Sequence, residues 1–404
     1  MRPARPQRSC REAGSTVRMR RVAIVGSGMS AFGARAETPR ELFTEAVHEA
    51  LGSVDRGLAL GDVEEAWVGS LGFGGAQLGN LGAYLVEQAG GPSIPARRVE
   101  NACASSGFAV RDAYLAVASG AVDVALAGGL EKMTDLTPVH QRYWLGVSGD
   151  TAWERLAGAT FPGVYAMIAR RHMHEYGTTR EHLASVAVKN HAHGAKNPKA
   201  QFRREITLEK ALSAPTVAAP LTVLDCCSTT DGGSAMILAS EARARALTDT
   251  PVWIEASAAA TDHLALHDRA SLTTLAATER AGRAAFERAG LGPRDVHVAE
   301  VHDCFTIAEI LAMEDLGFAK KGEGGPLVAS GATRLGNDLV VNASGGLKAK
   351  GHPLGATGAA QVHELFLQLR GAAGPRQRAG AEVGLAHNVG GSGATCAVHV
   401  LRRG

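Results

Sequence analysis

Four short segments hold residues that could carry chemistry. Cys103 sits in a run of small residues, Asn101–Gly107 (NACASSG), that reads as a turn between a strand and a helix. A thiol there meets the positive end of a helix, which favours thiolate, and the turn's backbone N–H groups can hold a negative oxygen. The plainer alternative is a buried, inert cysteine. Gly351-His352-Pro353 pins an imidazole in a tight loop, where it could take a thiol proton and then polarise a carbonyl. A loop histidine satisfied by backbone is the alternative. His302-Asp303-Cys304-Phe305 follows a strand at Val296–Val301 and sets a second thiol beside a histidine at the strand's end; alternatively, Asp303 simply caps the next helix. His387–Gly393 (HNVGGSG) is dense in glycine between two final strands, so backbone can approach a ligand closely and free N–H groups can form a second oxyanion site; a simple hairpin connection explains it equally well.

Two weaker groups complete the inventory. Cys226-Cys227 precede Ser228–Gly233 (STTDGG), and Cys227, Ser228 and Phe305 are candidates either for lining a substrate or for packing in the core. His172, His174, His182, His191 and His193 form a cluster without the H-E-x-x-H spacing, on helices that read as amphipathic and solvated, so no metal site is expected.

The elements that must position these residues follow an α/β rhythm. Strands are expected at Arg21–Gly28, Glu65–Val68 and Val122–Ala127, with helices at 39–53, 80–89 and 106–119 between them. Gly26, Gly28 and Ala31 match G-x-G-x-x-A, but Thr38-Pro39-Arg40-Glu41 starts the helix ten residues later, so no dinucleotide site is expected. Residues 130–250 break the rhythm, with helices at 164–176 and 180–194 and a loop-rich stretch at 197–220. It resumes with strands at Val252–Ala256, Val296–Val301, Leu339–Val341, Glu382–Ala386 and Ala394–Leu401, and helices at 274–289, 306–316 and 355–370. Val99–Gly107 and Val341–Gly346 echo each other between a strand and a helix, consistent with an internal duplication.

Composition narrows the function classes. The 404 residues carry a net charge of +2, which gives no field for nucleic acid or an anionic membrane. Six cysteines without a C-x-x-C pair argue against a disulfide scaffold or a structural zinc site and for a reducing, cytoplasmic setting. Residues 1–20 are basic and read as a disordered extension, with Met19 an alternative start and a transit segment the sharper reading. No apolar run is long enough to span a membrane.

Taken in order, the four segments resemble the thiolase superfamily over nearly the whole chain, about residue 20 to 401. The H-D-C-F segment, and Asn388-Val389-Gly390 where common thiolases carry C-x-G, resemble the sterol-carrier-protein-type branch. The chain ends without a fused sterol-carrier domain or a peroxisomal signal. The resemblance implies duplicated βαβαβαββ halves in an α/β/α/β/α core. The expected division is a first half at 21–130, a loop domain at 131–220, a return at 221–250 and a second half at 251–404. It implies an acyl-Cys103 thioester, His352 as base and oxyanion donor, His302 supporting that oxyanion, and Cys304 as the second acid/base. The backbone N–H groups of Cys103 and Gly390 would form the other oxyanion hole. It further implies thiolysis of 3-ketoacyl-CoA or the reverse condensation, coenzyme A thioesters as substrates with no cofactor, and a homodimer or tetramer. A biosynthetic or aldol-type enzyme with a small acyl-binding partner, and a non-catalytic lipid carrier, are the alternatives.

Overall fold

The computed structural model describes residues 19–404. The expected extension therefore lies, through residue 18, outside the described residues. Arg20, assigned to it, is firmly tied: its guanidinium donates to Asp123 Oδ1 at 2.8 Å and to the carbonyls of Val117 and Val122.

Twelve strands are present: β1 Val22–Met29, β2 Glu65–Gly69, β3 Ala96–Val99, β4 Val124–Glu131, β5 Thr216–Ala218, β6 Leu221–Thr222, β7 Gly232–Ser240, β8 Val252–Thr261, β9 Val298–Glu300, β10 Val340–Val341, β11 Val383–Gly390 and β12 Thr395–Arg403. Ten form one ladder in the order β10-β9-β11-β12-β8-β1-β7-β4-β2-β3, and β5-β6 make a separate ribbon. The order is its own mirror about the β8–β1 pair. On each side the innermost two pairings are antiparallel and the outer two parallel. The duplication is therefore written in topology: β1, β2, β3, β4 and β7 correspond to β8, β9, β10, β11 and β12.

Helices Ser105–Ser119 and Thr357–Leu369 pack on each other, and each touches strands of both halves, so they lie between the two five-stranded leaves. Three large apolar clusters follow from that layering. One gathers both central helices and both leaves, and the other two lie under the outer helices of each half. Such burial on both faces explains why most strands read as unbroken apolar runs rather than alternating ones.

The outer helix Pro39–Gly52 starts where Thr38 and Glu41 predicted, with both capping-box bonds formed. The glycines of the G-x-G-x-x-A match lie inside β1. A Cβ on Gly26 or Gly28 would fall 2.3 Å from a carbonyl oxygen of this helix, so both serve close helix–strand packing.

Three local expectations are corrected. The stretch His387–Gly390 is strand, not loop: β11 runs through it and pairs with β12 from Val383↔Arg402 to Gly390↔Thr395, leaving only Gly391–Ala394 as the turn. The loop-rich stretch 197–220 holds a short helix at Leu208–Leu212. The histidine-bearing helices Phe161–Tyr176 and Arg180–Gly194 are not solvated throughout: His172, His191 and His193 are buried, His182 is half-buried and His174 is exposed.

Candidate active site

The Cys103 turn is held in a conformation that the sequence alone would not select. Ala102 takes φ 51°, in the left-handed region that non-glycine residues avoid. Neighbouring bonds over-determine it. Glu100 accepts the Ala102 N–H at 2.6 Å, and Ser105 Oγ donates to the Ala102 carbonyl at 2.6 Å while accepting the Asn101 N–H. In the second half a positive φ of 57° also occurs at Asn342, which the echo sets against Asn101 rather than Ala102, so the two turns are alike without matching residue for residue. The Cys103 sulfur ends up inside an apolar cluster with Leu71, Phe73, Met133 and Leu354.

Two buried histidines reach the same point. The Sγ of Cys103 and one ring nitrogen each of His302 and His352 all lie within 4.8 Å of one another. The two rings meet edge to face at 5.1 Å between centroids. Neither Nε2 atom has a partner within the protein.

Hydrogen bonds at the other ring nitrogens settle the tautomers. Thr357 Oγ1 donates its single proton to the Pro353 carbonyl at 2.9 Å, so at 2.7 Å it accepts from His352 Nδ1. That leaves His352 Nε2 with a free lone pair. Asn388 works in the opposite sense. Its side-chain oxygen accepts the Gly107 N–H at 3.3 Å, which turns Nδ2 to donate to the Cys103 carbonyl at 3.0 Å and to His302 Nδ1 at 3.2 Å. His302 therefore carries its proton on Nε2. One ring offers an acceptor to the site and the other a donor.

Burial sets the resting charges. It pushes the Cys103 thiol up to about 12, opposed by a backbone hydrogen bond from Gly391. The helix end expected to favour thiolate is overridden by this desolvation. Burial, then Lys350, lowers His352 to about 3. At neutral pH the pair is a neutral thiol and a neutral imidazole. The amide that reaches the sulfur belongs to Gly391, next to the expected Gly390.

Cys304 is also buried, and its thiol is raised well above the usual value by desolvation, then by Cys227. Cys304 and Cys227 are joined by backbone, the Cys227 N–H donating to the Cys304 carbonyl at 2.9 Å. Phe305 stacks on Tyr165 at 4.5 Å. Ser228 turns away to bond Gln201 at 2.9 Å.

Two buried acids lock these loops together. Glu131 accepts the N–H groups of Leu71, Gly72, Phe73 and Gly355, tying the wall of the apolar cluster to the loop after His352. Asp303 accepts the N–H groups of Leu347 and Lys348 and the amide of Asn190, so it orients the H-D-C-F segment rather than capping its own helix.

The other histidines are accounted for. His172 bonds Glu314 and Thr178, His193 bonds the Asn342 carbonyl and the Leu335 N–H, and His191 bonds the Arg204 carbonyl. Among the described residues, the grouping close enough to hold a metal ion is the Cys103–His302–His352 trio itself.

A cavity of about 750 Å³ opens in the inserted segment, lined by Tyr143, Leu145, Leu156 and Phe161 with Arg142 and Arg155. Leu145 also packs on the apolar cluster that holds Cys103. A slightly larger cavity, about 810 Å³, lies elsewhere, at Pro293, His297, Lys320 and Arg378; none of the trio lines either cavity.

Of the residues the sequence singled out, the structure brings Cys103, His302 and His352 together, with Cys304 near Cys227; it adds Asn388, Thr357 and Tyr165, which the sequence did not mark for these contacts. Thr357 lies just past the Gly351-His352-Pro353 segment; its hydroxyl five residues after His352, at a helix start, was the available signal. Nothing local marks Tyr165.

Comparison with known proteins shows the family. Residues 22–242 match the thiolase N-terminal domain, and residues 258–403 match a thiolase C-terminal domain-like family. The chain is 48% identical to an acetyl-CoA acetyltransferase of Methanothermobacter thermautotrophicus, covering 95% of this chain and 100% of that one. It is 38% identical to sterol carrier protein 2 of Homo sapiens, covering 93% of this chain and 71% of the human protein. Among solved structures, an Ltp2-ChsH2(DUF35) aldolase superposes with a TM-score of 0.82 at 27% identity, covering 95% of this chain and 97% of that one. The chain thus belongs to the thiolase family, and it is an enzyme of the thiolase acyltransferase type.

Proposed function

We propose that the protein forms an acyl thioester on Cys103 and passes the acyl group to coenzyme A or to the α-carbon of a second acyl-CoA. The observation that carries this reading is the opposed tautomers of the two histidines at the Cys103 sulfur. His352 Nε2 takes the thiol proton as the sulfur attacks the thioester carbonyl. Backbone N–H groups of Cys103 and Gly391 face the sulfur and hold the oxygen of the tetrahedral adduct. His302 Nε2–H and the imidazolium of His352 receive the carbonyl oxygen of the second substrate. A protonated Nε2 suits an oxyanion and opposes a metal ion, for which a ligating nitrogen needs its lone pair free.

Cys304 supplies the second proton-transfer group. It gives its proton to the departing coenzyme A thiolate and takes one from the acceptor. Coenzyme A enters as part of the substrate and no prosthetic group is needed. The apolar cavity at Leu145 would receive the pantetheine arm, with Arg142 and Arg155 toward its phosphates. Cys227 and Phe305 wall the Cys304 side.

Cys304→Ala is expected to keep acylation of Cys103 by acetyl-CoA while thiolysis of acetoacetyl-CoA falls by about 100-fold or more. Turnover at the parent rate in that variant would remove Cys304 from the mechanism.

Among the described residues β3 and β10 end the ladder with one unpaired edge each, and an unpaired edge supports a homodimer or tetramer. A small partner is a second reading for this fold. It rests on the neighbour's DUF35 component and on exposed Val139, Tyr143 and Leu156, which line the cavity. Free thiols suit a reducing compartment, the cytoplasm. No helix among the described residues is long and apolar enough to cross a membrane.

A further inference from the structure

The turn Gly391–Ala394 borders the Cys103 loop. A Cβ on Gly390, the residue before it, would fall 2.4 Å from the Asn101 carbonyl oxygen and 3.4 Å from Ala104 Cβ, and the Gly391 N–H faces the sulfur. Gly391 and Gly393 take φ 62° and 114°. Two glycines with positive φ leave a chain of high conformational freedom, whereas an oxyanion donor acts only within a narrow range of distance. The turn therefore needs to be held from outside.

Arg269 holds it. This residue lies in the segment between β8 and the Ala276–Ala289 helix. Its Nη1 donates to the Ser392 carbonyl at 2.7 Å and its Nη2 to Ser392 Oγ at 2.8 Å, so two arms of one planar fork close on one residue of the turn. Other donors tie it to its own segment. Nε donates to the His263 carbonyl at 3.0 Å and Nη2 to the Leu264 carbonyl at 3.1 Å. A Cβ on Gly393 would meet Leu275 Cδ2 at 2.7 Å and Arg269 Nη1 at 3.4 Å, so the turn packs directly on this clamp. From the inserted segment the Tyr165 hydroxyl donates to the Gly391 carbonyl at 3.2 Å.

We propose that Arg269 is a positioning residue for attack on the thioester: its fork on Ser392 fixes the turn so that the Gly391 N–H meets the oxygen of the tetrahedral adduct. This rests on the reading of Cys103 given above. As the Cys103 sulfur bonds the carbonyl carbon and its proton passes to His352, that oxygen takes a full negative charge. It gives the charge up as the carbon–sulfur bond to coenzyme A breaks. A contact that matters only in that interval acts on rate and not on substrate binding.

The test compares single-turnover acylation by acetyl-CoA with acylation by its dithioester analogue, in which sulfur, a weak acceptor, replaces the carbonyl oxygen. The proteins are the parent, Arg269→Lys, Ser392→Ala, the double variant and Cys103→Ala. Lysine keeps the charge but has no fork. Arg269→Lys is expected to slow acylation by saturating acetyl-CoA about tenfold or more, to leave the half-saturating concentration within about twofold, and to leave the dithioester rate within about twofold. Ser392→Ala removes the acceptor of one arm. It is expected to lower the oxygen-to-sulfur rate ratio by a smaller factor and to change it less than about twofold in the Arg269→Lys background. An unchanged ratio in Arg269→Lys would overturn the proposal, whether both substrates are slowed equally, as a general loss of packing would do, or neither is. An undiminished Ser392 effect in the double variant would overturn it too. If Arg269→Lys does not fold, the ratio in Ser392→Ala decides on the same terms. Acylation of Cys103→Ala would instead overturn the reading of Cys103, and the role of Arg269 with it.

Discussion

At the scale of single residues, the central fact is that neither member of the Cys103–His352 pair is charged at rest. A thiol pushed to about 12 and an imidazole lowered to about 3 will not exchange a proton spontaneously. Attack and proton transfer must therefore be concerted with the oxyanion contacts that stabilise the adduct. The tautomer of His352 becomes the controlling detail, and Thr357 sets it. Thr357→Val keeps the shape and removes the acceptor for Nδ1–H. Single-turnover acylation by acetyl-CoA is expected to slow by roughly tenfold or more, with little change in melting temperature. An unchanged rate would show that His352 is oriented without Thr357. Each chemistry-bearing residue had an inert reading when taken singly; they were legible because the four segments stand together in the order that resembles the thiolase superfamily. Asn388 and Thr357 were not legible as tautomer-setting residues. Asn388 acts on Cys103 across 285 positions in the chain, and no local pattern carries that contact.

At the scale of elements, the site exists because two helices of the central layer come very close. A Cβ on Gly358 would lie 2.4 Å from the Gly107 backbone nitrogen and 2.2 Å from Asn388 Oδ1. Gly358→Ala must push apart the helices that follow the Cys103 and His352 loops, and overpacking of this kind costs about 1–3 kcal/mol. A lowered urea midpoint and slower acylation are expected together. Gly52 provides the contrast. It closes the outer helix with open space around it, so Gly52→Ala is expected to be neutral or stabilising by up to about 1 kcal/mol. Equal losses in the two variants would contradict this view of the central layer. Periodicity located most helices and strands to within a few residues. It failed at His387–Gly390, where glycine and asparagine suggested a loop but the pairing partner Thr395–Val398 makes a strand. Tertiary pairing, not propensity, decides there.

At the scale of the whole molecule, the layering buries an unusual set of histidines in the neutral form. Burial lowers His352, His387 and His193 to about 3, and His191 and His399 to about 4. In the unfolded chain each would titrate near 6.5. Between those values the unfolded state binds more protons, so stability rises with pH across that window and is lost as pH falls from about 6.5 toward 4. The urea midpoint is expected to drop steadily between pH 7 and pH 5. A flat midpoint over that range would show that the histidines do not govern acid stability. The duplicated halves were faintly visible in sequence as one repeated turn. The mirror order of the strands was not, because non-local pairing leaves no trace in local pattern.

The most direct test of the account is the mass of the protein after brief mixing with acetyl-CoA and an acid quench. The account predicts one added acetyl group on the peptide containing Cys103, and none in Cys103→Ala. An acetyl group on Cys304, Cys227 or another residue, or an unchanged adduct in the variant, would contradict it.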